Sequence, residues 1–98
     1  MNDETPEDFV LPIEDSIDLH PFRPRDIRSV VKSYLEEAAR LGLTEVRLIH
    51  GRGIGVQRDA VRAVLAKHPL VADYRDAPAE RGGWGATVAR LALPADDV

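Results

Sequence analysis

The chain has 98 residues, no cysteine and a net charge of −4. Its length corresponds to one domain, and without cysteine neither a disulfide nor a thiolate metal site can stabilise the fold. No apolar stretch approaches the ~20 residues of a membrane-spanning helix, and the acidic N-terminus does not resemble a signal peptide. We therefore expect a cytoplasmic protein that does not bind membranes.

The charges are distributed unevenly. Residues 1–15 contain six acidic and no basic residues, and Asp96 and Asp97 add two acids near the other end. The nine remaining acids face 13 basic residues, 11 of them arginine, so the body of the chain has a charge of +4. Such a body favours a polyanionic partner, although a solvated surface of Arg and Glu would give the same composition. The pattern predicts an acidic, largely disordered arm over 1–14, a domain over 15–94 and an acidic tail over 95–98.

Hydrophobic periodicity predicts elements in the order β-α-β-α-β-β. A first helix begins near Pro24 and ends at Gly42, and a second covers about Val56–Lys67. The predicted strands are Ser16–Leu19, Glu45–Ile49, Val71–Arg75 and a long final strand over Trp84–Leu93, with a turn over 76–83 before it. Strands joined through crossover helices pair in parallel, so the first two strands should be parallel neighbours with the helices packed on the sheet.

Two histidines follow the first two predicted strands. His20 comes after the first strand and His50 after the second, so both should lie at the same edge of the sheet, where open α/β sheets bind ligands. Asp18 precedes His20 by two residues and should point to the same side of the strand. The three residues are candidates for acid–base catalysis, with Asp18 also the candidate metal ligand. Taken singly, each histidine is more often a structural hydrogen-bonding residue.

A glycine-rich loop follows the second strand. Gly51, Gly53 and Gly55 allow the backbone to approach a ligand closely, and Arg52, between the first two, can bind the same phosphate. The loop leads into a helix N-terminus, whose free N–H groups favour a phosphate. Its spacing matches neither a Walker loop nor a dinucleotide-binding fingerprint, so no nucleotide cofactor is expected.

Arginines cluster where both predicted helices begin. Helix N-termini usually prefer acids, so cations at these positions are a local violation that phosphates docking on this edge would explain. Chance in an arginine-rich chain is the alternative. The candidate phosphate-binding arginines are Arg23, Arg25, Arg28, Arg58 and Arg62.

Trp84 is the only tryptophan and lies between glycines at the predicted start of the last strand. An exposed indole can stack on an unpaired base, which makes Trp84 a candidate nucleic-acid contact. In a small domain, packing is the more frequent role of a single tryptophan.

These segments together resemble the Smr (small MutS-related) domain family. Residues 17–20 (Ile-Asp-Leu-His) resemble its Leu-Asp-Leu-His-Gly motif, 50–53 match its His-Gly-x-Gly motif, and 83–88 resemble the segment that opens its last strand. The resemblance covers about 17–93 of the chain. It implies an α/β (α+β) two-layer sandwich with a mixed four-stranded sheet, similar to the C-terminal domain of translation initiation factor three.

The resemblance also implies a function. Members of the family are associated with DNA nicking and, in some branches, with RNA cleavage, so the expected partner is DNA or RNA. Mg²⁺ and Mn²⁺ are the candidate cofactors, and a monomer is favoured because no heptad or long apolar edge is present. The family's implicated positions correspond here to Asp18, His20, His50, Gly51, Arg52 and Gly53.

One departure from the family pattern is Pro21, which stands where the first motif has a glycine. Proline has no N–H, so a phosphate contact through that amide is excluded. The leading hypothesis is a nicking endonuclease acting on DNA or structured RNA, and the alternative is a non-catalytic module that binds branched or structured nucleic acid. A third reading, a domain for a small anionic ligand or a protein partner, predicts binding with little salt dependence.

Overall fold

The computed structural model describes residues 15–53 and 55–92. Its elements follow the predicted order and are β1 (Ser16–Asp18), α1 (Ile27–Arg40), β2 (Glu45–Ile49), α2 (Val56–Lys67), β3 (Val71–Asp76) and β4 (Ala86–Leu91). Short 3-10 turns cover Pro24–Asp26, Ala79–Arg81 and Gly83–Gly85. The predicted arm over 1–14 and tail over 95–98 lie outside the described residues. Across the described ranges, no helix is long and apolar enough to cross a membrane.

The strands form one mixed sheet in the order β1-β2-β4-β3. β1 is parallel to β2, and β4 is antiparallel to both β2 and β3. The mixed four-stranded sheet and its two helices confirm the predicted α+β architecture. Because Asp18 pairs with Ile49, the carboxyl ends of β1 and β2 meet at one edge of the sheet.

The main core lies between the helices and one face of the sheet. The apolar face predicted for α1 is buried, and α2 contributes Val61 and Leu65. Alternation along β2 places Val46 and Leu48 on this face, and Leu19 joins it although it lies one residue beyond β1. Each fully buried aliphatic side chain contributes roughly 1.5–3 kcal/mol. The opposite face carries a smaller cluster, which consists of Ala77, Ala86 and Val88 with Ile49 packed against them.

The predicted start of the last strand was wrong. Gly83–Gly85 form a 3-10 turn and β4 begins at Ala86. The cause is a long-range contact, since the Gly85 carbonyl accepts hydrogen bonds from the backbone N–H groups of His50 (3.0 Å) and Gly51 (2.9 Å). β3 in turn runs one residue further than predicted, because Asp76 pairs with Thr87 of β4.

Candidate functional site

Asp18 and His20 form a pair at the end of β1. One carboxylate oxygen of Asp18, Oδ1, accepts hydrogen bonds from the backbone N–H of His20 (2.9 Å) and from its ring Nδ1 (2.6 Å). These two bonds hold the pKa of Asp18 below its usual range, the backbone bond contributing most. The ionised carboxylate therefore keeps the proton of a neutral His20 ring on Nδ1 and leaves Nε2 as the basic nitrogen. Both side chains are more than half exposed, so this pair is open to a ligand.

The other side of the His20 ring lies against Gly51. A Cβ atom added to Gly51 would come within 2.8 Å of His20 Nε2, and Gly51 has a φ of +88° that favours glycine. The ring therefore extends over the glycine-rich loop and into a cleft of about 380 Å³. The cleft is lined by His20, Pro24, His50, Gly51, Arg52, Gly53, Gly55, Val56, Gln57 and Arg58.

His50 reaches the same cleft but is buried. Its Nδ1 lies 3.0 Å from the Gly51 carbonyl, which only accepts, so Nδ1 carries the proton. Nε2 then accepts a hydrogen bond from the Thr87 hydroxyl at 2.9 Å. Burial lowers the pKa of His50, and the nearby Arg58 and Arg62 lower it further, although the bond to the Gly51 carbonyl opposes this. Both ring nitrogens of His50 are thus engaged within the protein, and its lowered pKa favours the neutral ring.

The loop after β2 is fastened to the turn before β4. Besides the two bonds from His50 and Gly51 to the Gly85 carbonyl, the Arg52 guanidinium lies 3.3 Å from the Gly82 carbonyl. The Arg52 stem passes so close to Gly85 that an added Cβ there would lie 2.9 Å from Arg52 Cγ. The Gly51 amide is consequently occupied within the protein, and its contribution to the site is the space it leaves for His20.

With this arrangement established, comparison with known proteins identifies the family. The Smr domain family model matches residues 17–92, most of the chain. The chain belongs to the Smr domain family. Residues 17–92 contain the Asp18–His20 pair, the glycine-rich loop and β4, which are the three segments from which the resemblance was drawn.

Similar proteins include MutS2 endonucleases. This Smr domain is 41% identical over 76 residues to Endonuclease MutS2 of Caldicellulosiruptor saccharolyticus and 40% identical over 75 residues to that of Thermus thermophilus. The matches cover 78% and 76% of this chain but only 10% of each relative. Homology to MutS2 endonucleases supports a nucleic-acid-related function. The endonuclease activity named for those far longer proteins is a property of the relatives.

Two solved structures share the fold. The Smr domain of Thermus thermophilus MutS2 superposes with a TM-score of 0.74 at 39% identity, covering 79% of this chain and 96% of that one. YdaL, a stand-alone small MutS-related protein from Escherichia coli, superposes with a TM-score of 0.75 at 29% identity, covering 82% of this chain and 66% of that one. The two-layer sheet-and-helix architecture of this Smr domain is therefore that of its relatives.

Two of the five candidate arginines have an internal partner. Arg58 and Arg62 of α2 both contact the carboxylate of Asp76 at the end of β3, at 3.0 and 2.5 Å. These bonds hold the pKa of Asp76 below its usual range, the bond from Arg58 contributing most. Their position at the start of a helix thus has a structural explanation, because the acid that balances them comes from β3.

Trp84 stands beside the cleft. The guanidinium carbon of Arg58 lies 4.9 Å from the centroid of the indole ring, within the range of a cation–π contact. A Cβ atom added to Gly55 would come within 3.6 Å of Cη2, so the indole also borders the start of α2. The residue is 41% exposed, which leaves part of the ring accessible to a ligand.

The remaining candidates do not line the cleft as a group, and Arg28 lies in a separate groove between α1 and α2. Arg23, Arg25 and Arg28 are exposed and make no ion pair within the described residues. Gly53 has nothing within 4 Å of an added Cβ, so the space around it is free for a ligand. Gly55 precedes α2 with a φ of +91° and no side chain caps this helix end, so its first N–H groups face the cleft.

The donor set available for a divalent metal is sparse. Asp18 is the candidate ligand, and its Oδ1 is already engaged twice by His20. In the part of the chain that the structure describes, no three His, Asp or Glu side chains converge on one point. A carboxylate-based Mg²⁺ or Mn²⁺ site normally draws on one or two carboxylates together with oxygens of the substrate. A metal at this edge would be held by Asp18 alone and would take its other ligands from water and from the phosphate of a substrate.

Three residues of the site escaped prediction from the sequence. Thr87 occupies the hydrogen-bonding position beside His50, Asp76 binds the α2 arginines, and Gln57 lines the cleft. Thr87 is fully buried on the helix-facing side of β4, where it pairs with Leu48. A buried threonine within an otherwise apolar strand was the available signal, because a buried hydroxyl needs a partner.

Proposed function

We propose that this Smr domain binds nucleic acid in the cleft and nicks it, with His20 as the catalytic acid–base residue. The observation that supports this most is the Asp18–His20 pair, whose free ring nitrogen borders a glycine-rich loop and an uncapped helix N-terminus. A base held beside an anion-binding loop is what phosphodiester hydrolysis requires.

In the proposed reaction, Asp18 fixes the orientation and tautomer of His20. Nε2 takes a proton from the attacking hydroxyl, either water or a ribose 2′-OH, as its oxygen bonds to phosphorus. The P–O bond to the leaving oxygen then breaks, and that oxygen takes up a proton from solvent. General-base assistance of this kind contributes about 10²–10⁴-fold to a rate.

Charge on the reacting phosphate needs donors that are already in place. The N–H groups at the start of α2 and the Gln57 side chain border the cleft opposite His20. The open loop at Gly53 leaves room for the phosphate, and Arg23 and Arg25, which are exposed and adjoin the cleft residue Pro24 in the chain, add positive charge next to it. Preorganised donors are the largest single contribution in many phosphoryl and acyl transfers.

A base next to the scissile phosphate could contact Trp84. Its ring is partly exposed, and Arg58, which it contacts, lines the cleft. Stacking on an indole is worth about 1–3 kcal/mol per base and tolerates any sequence. Because Trp84 is the only tryptophan, quenching of its fluorescence reports binding directly.

A non-catalytic binding module is the second candidate, and two observations favour it. Pro21 replaces the glycine of the first motif and offers no amide to a phosphate. His50 has both ring nitrogens engaged inside the protein, so His20 alone is left for proton transfer. Under this alternative the cleft binds nucleic acid but does not accelerate cleavage of its phosphodiester bonds.

The test is a nicking assay on supercoiled plasmid and on a structured RNA, each with and without Mg²⁺ or Mn²⁺. The wild type is compared with His20→Gln and Asp18→Asn, and Asp73→Asn provides a matched control because Asp73 is an exposed carboxylate paired with Arg90 on β4. We expect cleavage by the wild type and the control, and at least about 10²-fold less by the two site variants.

Trp84 quenching in the same samples separates the two candidates. Binding by all four proteins with cleavage by none would establish the binding module and reject the nuclease. If the wild type neither quenches at low salt nor cuts, nucleic acid is not the ligand of the cleft.

A further inference from the structure

A second groove lies between α1 and α2, and three of its four charged lining residues are cations. It has a volume of about 460 Å³ and is bordered by Arg28 and Lys32 of α1 and by Lys67 at the end of α2. These three side chains are exposed and make no ion pair within the residues that the structure describes. Glu36 is the only acid among the groove residues, so the groove carries an excess of positive charge.

His68 lines the same groove with an unsatisfied donor. Its side chain is 5% exposed, and its Nδ1 accepts a hydrogen bond from the backbone N–H of Leu70 at 3.1 Å. The proton of the neutral ring is therefore on Nε2, and this buried atom has no hydrogen-bond partner. The nearest acceptor is Glu36 Oε2 at 3.5 Å, on a side chain that is half exposed and can move away. His68 Nε2 therefore has only a long contact to a carboxylate, and a phosphate oxygen that replaces this carboxylate would give it a hydrogen bond.

We propose that this groove binds backbone phosphates of the strand whose scissile phosphate lies in the cleft. The inference rests on the proposed function and extends it to a substrate of defined minimum length. Charge complementarity is the first argument, because three unpaired cations and an N–H donor suit phosphate oxygens.

Continuity with the cleft is the second argument. Pro24 lines the cleft, and Arg28 and Lys32 follow it one and two helical turns later along the same side. A rise of about 2.0 Å per residue in the 3-10 turn and about 1.5 Å in α1 separates Pro24 from Lys32 by ~13 Å. Within a duplex one strand rises about 3.4 Å per nucleotide along the helix axis, so Lys32 would contact a phosphate about four nucleotides from the cleft.

The first test compares lengths of oligonucleotide. Fluorescein-labelled DNA and RNA single strands of 3 and 12 nucleotides are titrated with the full chain and followed by anisotropy. The 12-mers should bind with a steeper salt dependence, because only they reach the groove. In Lys32→Gln, Lys67→Gln the slope of log K against log salt for the 12-mer should fall by about 1–1.5, whereas the slope for the 3-mer should not change. The control Arg40→Gln, Arg90→Gln removes the same charge away from the groove, and an equal effect in both doubles would overturn the inference.

A gain of affinity provides a test that misfolding cannot imitate. Glu36→Gln removes the acid beside His68, and the 12-mer should bind about two- to fivefold more tightly. Glu37→Gln changes the same charge one residue away, where the carboxylate pairs with Arg40 outside the groove, and should have a smaller effect. Equal affinities for the two variants would contradict the role of the groove.

Ring signals of the histidines in an NMR titration distinguish failure of this inference from failure of the proposed function. We expect His20 to respond to both lengths and His68 only to the 12-mer. A shift of His20 alone would leave the cleft as the binding site and reject the groove. A shift of His68 alone would support the groove and reject the cleft.

Discussion

Substitution of Gly51 tests whether close packing of His20 on the glycine-rich loop orients the proposed catalytic ring. Its φ of +88° lies in the left-handed region, and a Cβ atom there would approach His20 Nε2 to 2.8 Å. Gly53, two residues later, has no positive φ and nothing within 4 Å of an added Cβ. The pair Gly51→Ala and Gly53→Ala therefore adds the same methyl group to the same loop with different consequences.

Gly51→Ala should cost stability and displace His20. A left-handed conformation costs a non-glycine residue about 1–2 kcal/mol, which corresponds to a fall in Tm of roughly 5–15 °C for a domain of this size. The contact with His20 is relieved when the exposed ring rotates away, and that rotation breaks the 2.6 Å contact with Asp18. Nicking should then fall with the loss of the oriented base.

Thermal unfolding, nicking and the His20 ring signals measure the three effects. Gly53→Ala should unfold within about 0.5 kcal/mol of the wild type and leave the His20 signals in place. If the two alanine variants are equally stable, or if His20 is undisturbed in Gly51→Ala, the close packing of His20 on the loop is not what orients the ring.

Three further predictions concern the groups around the cleft. Thr87→Val keeps the side-chain volume but leaves His50 Nε2 buried without a hydrogen-bond donor. The free energy of unfolding in urea should therefore fall by about 1–3 kcal/mol. In the control Thr87→Ser, and only there, the His50 tautomer seen in its ¹⁵N signals should remain unchanged. Because the pKa of His50 is lower in the folded protein than its ordinary value of 6.5, its contribution to stability is complete above pH 6.5 and is lost as the pH falls towards the folded-state pKa. Unfolding free energies of the wild type should accordingly decline faster below pH 6.5 than those of His50→Gln, by at most about 1.4 kcal/mol per pH unit, and parallel curves would show that His50 is not kept neutral by burial. Asp76→Asn releases Arg58 and Arg62, so the salt dependence of nucleic-acid binding should steepen by about 1–2 in log–log slope, and an unchanged slope would show that the two arginines do not reach the ligand.

The sequence predicted the elements well because their signals are local. Apolar residues at helical spacing identified both helices, and the strand–helix–strand order required β1 and β2 to be parallel. That pairing brought His20 and His50 to one cleft, as expected from their matched positions after two strands. The contact between Asp18 and His20 was predictable from their spacing at the end of a strand.

Long-range contacts explain what the sequence did not reveal. The start of β4 was misplaced because the Gly85 carbonyl is bound by N–H groups from 34 and 35 residues earlier in the chain. The arginines of α2 are balanced by Asp76, which is 14 and 18 residues away. Whether His50 is exposed or buried depended on Thr87, 37 residues away. Each of these contacts joins residues that are distant in the chain, and neither hydrophobic periodicity nor motif spacing predicts such pairs.

Among the described residues, β1 is the shortest strand of the sheet and lies at its edge, with a partner strand on one side only. The strand carries Asp18 and leads directly to His20. The proposed catalytic pair therefore lies on the strand with the fewest backbone hydrogen bonds to the rest of the sheet. Leu19 is what ties this segment down, since its side chain is fully buried and its N–H donates to the Ile49 carbonyl at 2.9 Å. Fraying of such an edge opens a site at a lower free energy than global unfolding. The proposed activity is therefore expected to be lost at a lower temperature than the fold, and weaker anchoring of Leu19 should widen that difference.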